Sequence, residues 1–300
     1  MTNKIQIILR FVFAFIVIVI GNYVIVAQNV TTGDWKAEAK SDKPEKIYLS
    51  FERRTVKGGK NQMGQSYDFS DLQGLSREQT TRNSAVSFRL VREAGNIECE
   101  GSFQNGKGAG TFRFTPNPQF VSAMKSRGFD FEKSTSSDKH NSEDQLFATA
   151  TLNLTTAFTD DLLSANFGKL DTDDLFKAVI FKITPQFMAE MKASGFANLG
   201  MEDLVKARIF KVDADFVRKV AAMGFDKEPF ESLVKMRIFK ITPEFLSEIQ
   251  AEGLRNLDIE DYVKMKIFKI DGAFVRKAKA ENPNVTIEEM VQMRIGVYGK

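Results

Sequence analysis

The chain of 300 residues is poor in the residues most reactive sites need, with one Cys, one His and one Trp. A single cysteine excludes a disulfide framework, and a single histidine excludes any metal or catalytic site built on two imidazoles. Charge of one sign is scarce too: 42 Lys and Arg face 39 Asp and Glu, for a net charge of +3. That balance excludes the strongly basic character of a dedicated nucleic-acid binder. Apolar residues, by contrast, make up 43% of the chain and include 27 Phe, enough to sustain folded cores over most of its length.

Residues 1–27 have the parts of a secretory signal. Lys4 and Arg10 lead into the apolar run Phe11–Ile20, Gly21-Asn22 interrupt it, and Val24–Ala27 precede a polar chain. We read a leader cut between Ala27 and Gln28, with an uncleaved anchor as the alternative, because Phe11–Ala27 lies near the lower limit of ~17 residues for crossing a bilayer. Either reading puts residues 28–300 outside the cytoplasm, periplasmic or secreted. Loss of the two leader cations leaves a nearly neutral chain with no global field to steer it toward nucleic acid or an anionic membrane.

From Trp35 to Phe114 the apolar residues alternate: Ile47, Leu49 and Phe51, then Val86, Phe88 and Leu90, then Ile97, Cys99 and Phe103, then Phe112 and Phe114. Period two with polar partners predicts antiparallel strands that bury one face. Glu93–Asn96 and Asn105–Gly108 supply turn residues between them, Asn-Gly being the strongest hairpin signal. The expectation is a small meander of five or six strands over 34–114. Residues 57–83 are its long connection, with a short helical turn near Leu75–Thr80. Cys99 falls on the apolar side and is expected to be a buried, inert thiol.

Beyond this region the sequence repeats. Lys182-Ile-Thr-Pro-Gln-Phe187, Lys211-Val-Asp-Ala-Asp-Phe216, Lys240-Ile-Thr-Pro-Glu-Phe245 and Lys269-Ile-Asp-Gly-Ala-Phe274 recur every 29 residues, and Gly195, Gly224 and Gly253 keep the same interval. Five units therefore fill 154–298. A divergent unit precedes them over 115–153, where Phe120, Met124, Gly128 and Phe129 match Phe187, Met191, Gly195 and Phe196 and a polar insertion occupies 134–143. Each unit reads as two short helices. Thr184 or Thr242 caps the first, Pro185 or Pro243 opens it, and a glycine ends it. The second starts at a capping-box spacing, as in Asp171/Asp174, Asp258/Asp261 and Thr286/Glu289, and carries Leu204, Val205 and Ile209 or their equivalents. Val234–Ile238 also fits period two, so a strand there is the alternative; the caps favour helix. Units this small cannot bury their own apolar faces and must stack into one elongated core. The fold class is thus α+β: a small antiparallel β domain followed by an all-α, solenoid-like array.

Ile241-Thr-Pro-Glu-Phe-Leu-Ser-Glu-Ile-Gln-Ala-Glu-Gly253 with Leu257–Ile267 resembles helical repeats of exported bacterial proteins of unassigned function. Similar repeats follow the peptidase domain of some membrane antirepressor peptidases of the beta-lactam-sensor type. The resemblance covers about 154–298 and implies a repeat module in an envelope setting. In those relatives the repeat often closes with His-Gly, where this chain has Phe210-Lys211, Phe239-Lys240 and Phe268-Lys269. Their H-E-x-x-H motif cannot be formed with His140 alone, so no catalytic residue carries over.

No catalytic, cofactor-binding or metal-ligating residue is therefore expected. His140 lies in the polar insertion, and Glu98 and Glu100 on one strand read as a solvated outer face rather than a glycosidase pair. Stacking does bring Lys206, Arg208, Lys211, Lys235, Arg237, Lys240, Lys264, Lys266 and Lys269 into register as a candidate basic ridge for a partner. The competing explanation is that cations at helix C-termini and acids at N-termini complement the helix dipoles. We expect a non-catalytic interaction, sensor or scaffold protein of the bacterial envelope, whose partner is another envelope protein. We expect it to bind no nucleic acid and to touch membrane, if at all, only through an uncleaved N-terminal segment. The alternatives are a carboxylate-only glycan hydrolase and a small-ligand binder using the β domain.

Overall fold

The computed structural model describes residues 30–39, 42–54, 60–131, 142–166 and 168–296. The leader expected at 1–27 and His140 lie outside them. The chain divides into two units, 1–156 and 157–300.

The first unit is built on a seven-stranded antiparallel sheet: β1 (Thr31–Glu38), β2 (Lys46–Arg54), β3 (Lys60–Asp68), β4 (Leu72–Gln73), β5 (Ser84–Arg92), β6 (Gly95–Gln104) and β7 (Lys107–Pro116), ordered β3-β2-β1-β7-β6-β5-β4. It is a meander in two runs joined at the centre, where β1 pairs with β7 from Thr31↔Phe114 to Glu38↔Lys107. Asn105 and Gly106 make the β6–β7 turn with φ of 50° and 83°, as the Asn-Gly signal predicts. Helix α1 (Arg77–Thr81) carries a capping box from Ser76 to Gln79.

Two strands more than the lower expectation are present, and β3 runs through the segment read as a connection. It pairs with β2 from Lys46↔Asp68 to Arg54↔Lys60. Its sequence, Lys-Asn-Gln-Met-Gly-Gln-Ser-Tyr-Asp, buries only Tyr67, so no apolar alternation marks it. Main-chain pairing to a strongly patterned neighbour forms this edge strand, and pairing leaves no mark on side-chain periodicity.

The inner face of the sheet buries Trp35, Leu49, Phe51, Phe88, Leu90, Ile97, Phe112 and Phe114. Helix α2 (Pro118–Ser126) is capped by Asn117 and buries Phe120 and Met124. Helix α3 (Ser142–Leu152) packs across β6 and β7. Phe147 of α3 stacks on Phe112 at 5.0 Å between ring centres and meets Phe51 and Phe114 edge-on. Arg53 Nη2 lies 2.6 Å from Asp144 of α3, with both side chains more than nine-tenths buried. Gln65 and Tyr67 donate to the Thr151 carbonyl at the end of the helix. Burial pushes the Tyr67 phenol up to about 12. The helix thus occupies the apolar side of the sheet, where a ligand-binding half-barrel would need a cavity.

The second unit is helical throughout its regular elements. First helices of successive repeats are α4 (Thr156–Ser164), α6 (Pro185–Ala193), α8 (Ala214–Ala222), α10 (Pro243–Ala251) and α12 (Gly272–Glu281). Second helices are α5 (Thr172–Ile180), α7 (Met201–Phe210), α9 (Phe230–Ile238), α11 (Ile259–Ile267) and α13 (Ile287–Ile295). Val234–Ile238 is helix, as the capped second helices of the other repeats suggest, although Pro229 at its own N-cap offers no side-chain acceptor. Thr184, Asp213, Thr242 and Asp271 each accept the backbone N–H of the Phe three residues on. Capping boxes form at Asp171/Asp174 and Thr286/Glu289. Each second helix packs on the next, α5 on α7, α7 on α9, α9 on α11 and α11 on α13. Leu204, Val205, Leu233, Val234, Tyr262 and Val263 lie in the shared core.

Helices of both kinds end alike. After α6 and α8 the chain turns through Gly195 and Gly224, with φ of 98° and 94°, and Phe196 and Phe225 donate back to Met191 and Val220. After α5, α7, α9 and α11 the same turn is made by Lys182, Lys211, Lys240 and Lys269, with φ of 53° to 57°. Ile183, Val212, Ile241 and Ile270 then donate back to the carbonyls of Ala178, Ala207, Met236 and Met265 at 2.8 to 2.9 Å. This is a Schellman closure with lysine where glycine has the lower energy. A left-handed residue with a Cβ costs roughly 1–2 kcal/mol, partly offset by the entropy glycine would lose. Lys211→Gly should therefore stabilise the array by about 0.5–1 kcal/mol in urea unfolding followed by circular dichroism.

Candidate interaction surface

The stacked second helices place the nine cations of the expected ridge in three rows. Lys206, Lys235 and Lys264 point along the stack and pair with Glu231, Glu260 and Glu288 at the start of the next second helix. Lys177 and Glu202 make the same link at 2.5 Å. These carboxylates hold the ammonium groups of Lys177, Lys206 and Lys264 above the usual lysine range. Such exposed pairs contribute little each, being screened by solvent, and link each second helix to the next.

Arg208, Arg237 and Lys266 form the second row. Each lies over the ring of the first-helix phenylalanine 21 residues earlier, Phe187, Phe216 or Phe245, at 3.7, 3.8 and 3.6 Å from the ring centre. Arg208 also donates to the Lys182 carbonyl at 2.7 Å, and Arg294 to that of Lys269 at 2.6 Å, serving the left-handed turn one repeat back. Sequence reasoning missed this pairing, although the constant interval from Phe to cation was its signal.

Lys211, Lys240 and Lys269 form the third row together with Lys182, and no ion pair engages their side chains among the described residues. Beside them runs a feature the sequence reading assigned to the core. Ile180, Ile209, Ile238, Ile267 and Ile295 recur at the same place in successive repeats and are between 47% and 55% exposed. At about 100° per residue, Ile209 falls about 160° around the helix from the buried Ala207 and about 40° past Val205, at the rim of the buried arc. Its position in the last turn takes it off the stack. Phe181, Phe210, Phe239 and Phe268, the next residues, are half-buried.

The sheet unit gathers other polar groups. Glu98 and Glu100 line a shallow groove on its outer face with Thr32, Asp34, Thr111 and Arg113. Glu98 is bound by Arg113 at 2.7 Å. Cys99 is buried between them on the opposite face, and burial pushes its thiol well above the usual range. Asp171 and Asp174 cap α5. Among the described residues no group of three or more His, Cys, Asp or Glu could hold a metal ion, and no helix is long and apolar enough to cross a membrane. Comparison with protein-family models, curated proteins and solved structures found no match.

Proposed function

We propose that the protein is a non-catalytic interaction module of the bacterial cell envelope whose helical array presents its isoleucine row to a protein partner. The observation that carries this reading is the row itself. Five apolar side chains stay about half exposed at the same position in successive repeats. Scattered single exposures are ordinary on a protein surface, but an apolar row at one position in five successive repeats points to a surface meant to be covered. Covering the exposed half of each isoleucine would contribute roughly 1 kcal/mol. Stacked repeats build such extended faces from one small unit. The basic-then-apolar composition of residues 1–27 supports the envelope setting.

The test is site-specific photocrosslinking in the native host, with the full chain carrying a benzophenone residue at Ile209, Ile238 or Ile267, or at Arg218 on α8 as the reference position. The expected result is one protein adduct shared by the three isoleucine positions and missing at Arg218. Equal adducts at all four positions, or none at the row, would contradict the proposal.

A further inference from the structure

We infer, resting on that reading, that the row takes a linear acidic segment of its partner, extended with three residues per turn and bearing an apolar side chain at every third position. Width is the first argument. Each repeat offers one exposed isoleucine, in four of the five beside a half-buried phenylalanine, so the apolar strip is narrow and suits a chain rather than a sheet or a bilayer.

Spacing is the second. Successive second helices pack directly on one another, and packed helices lie about 8–10 Å apart. A polyproline-type chain advances about 9.3 Å per three-residue turn and returns the same face each time. One turn of such a partner therefore matches one repeat, whereas a strand returns the same face about every 6.8 Å and a helix only after two turns of about 5.4 Å.

Charge is the third. Lys182, Lys211, Lys240 and Lys269 sit two positions after the exposed isoleucines, with exposed side chains in no ion pair among the described residues. Among the described residues, the other left-handed residues with a side chain are all asparagines: Asn105, Asn153, Asn166 and Asn256. Among the described residues, left-handed lysines occur only beside the row, and in four of the five repeats they keep a free cation along its edge. On a three-residue turn, one residue per turn covers the isoleucine and the next faces this lysine edge. Acidic residues there complete the match. An anionic membrane fits less well: acids and bases of the array nearly cancel, and Glu202, Glu231 and Glu260 lie on these same helices.

The experiment is fluorescence anisotropy of the full chain with a fluorescein-labelled 15-residue peptide of five Val-Pro-Glu triplets, against a shuffled peptide of the same composition and anionic phosphatidylserine vesicles. The triplet peptide should bind at least tenfold more tightly than the shuffled one, and more weakly as salt rises. Lys211→Gly with Lys240→Gly should weaken it at least fivefold, although these changes raise stability, which separates lost binding from lost folding. Equal affinity for both peptides, no effect of the lysine pair, or binding to vesicles alone would overturn the inference. Triplet binding that fails while crosslinking at Ile238 persists would leave the interaction face standing and reject only this occupant.

Discussion

Arg53→Met lowers the stability of the sheet unit by about 3–5 kcal/mol, because it takes the guanidinium away from the buried Asp144 carboxylate. Arg53 on β2 and Asp144 on α3 meet at 2.6 Å with both side chains more than nine-tenths buried. Arg53 also donates to Thr31 Oγ1, so its loss removes a side-chain link to β1 as well. The penalty comes from desolvation, so removing both charges should restore most of the loss. The double variant Arg53→Met with Asp144→Leu is expected within about 1 kcal/mol of wild type or above it. Trp35, the single tryptophan, is buried in this unit, and its fluorescence reports unfolding there and nowhere else. A single variant that loses less than about 1 kcal/mol would show that the pair is hydrated in solution.

Phe216→Ala costs the array a comparable amount, about 3–5 kcal/mol. The ring is 8% exposed and anchors α8, and the Arg237 guanidinium lies over it. Truncation removes the core contact and the cation–π contact together. Because each repeat touches only its neighbours, the damage should also uncouple the two sides of the array, and the helical melt should broaden or split. A loss of about 1 kcal/mol or less with an unchanged melt would contradict stacking through the Phe anchors.

Much of the array was legible because its physics is local. Caps, first-turn prolines and terminal glycines act within four residues, and a constant interval repeats them. The strands with one buried face were equally plain. What escaped depends on neighbours remote in sequence. Strand β3 has polar residues on both faces and exists through pairing with β2. Helix α3, read as part of a divergent repeat, is buried around much of its circumference with Asp144, Gln145, Thr149 and Thr151 inside, so it shows no apolar stripe to declare where it packs. In the basic ridge the sequence gives position but not partner: only stacking brings Lys206 to Glu231 and Arg208 over Phe187. Ile209 was misplaced in the core because its spacing from Val205 suits a buried stripe, while the stack ends one turn short of it.

The most direct measurement is on the triple variant Ile209→Asn, Ile238→Asn and Ile267→Asn in the full chain, comparing its melting with its retention of the partner crosslinked at the row. These side chains are half exposed, so each change should cost only about 1 kcal/mol of buried apolar area and leave the array folded. Partner affinity should fall at least tenfold. A stable variant that retains its partner unchanged would contradict the account, and so would one that unfolds, since the row would then be core rather than interface.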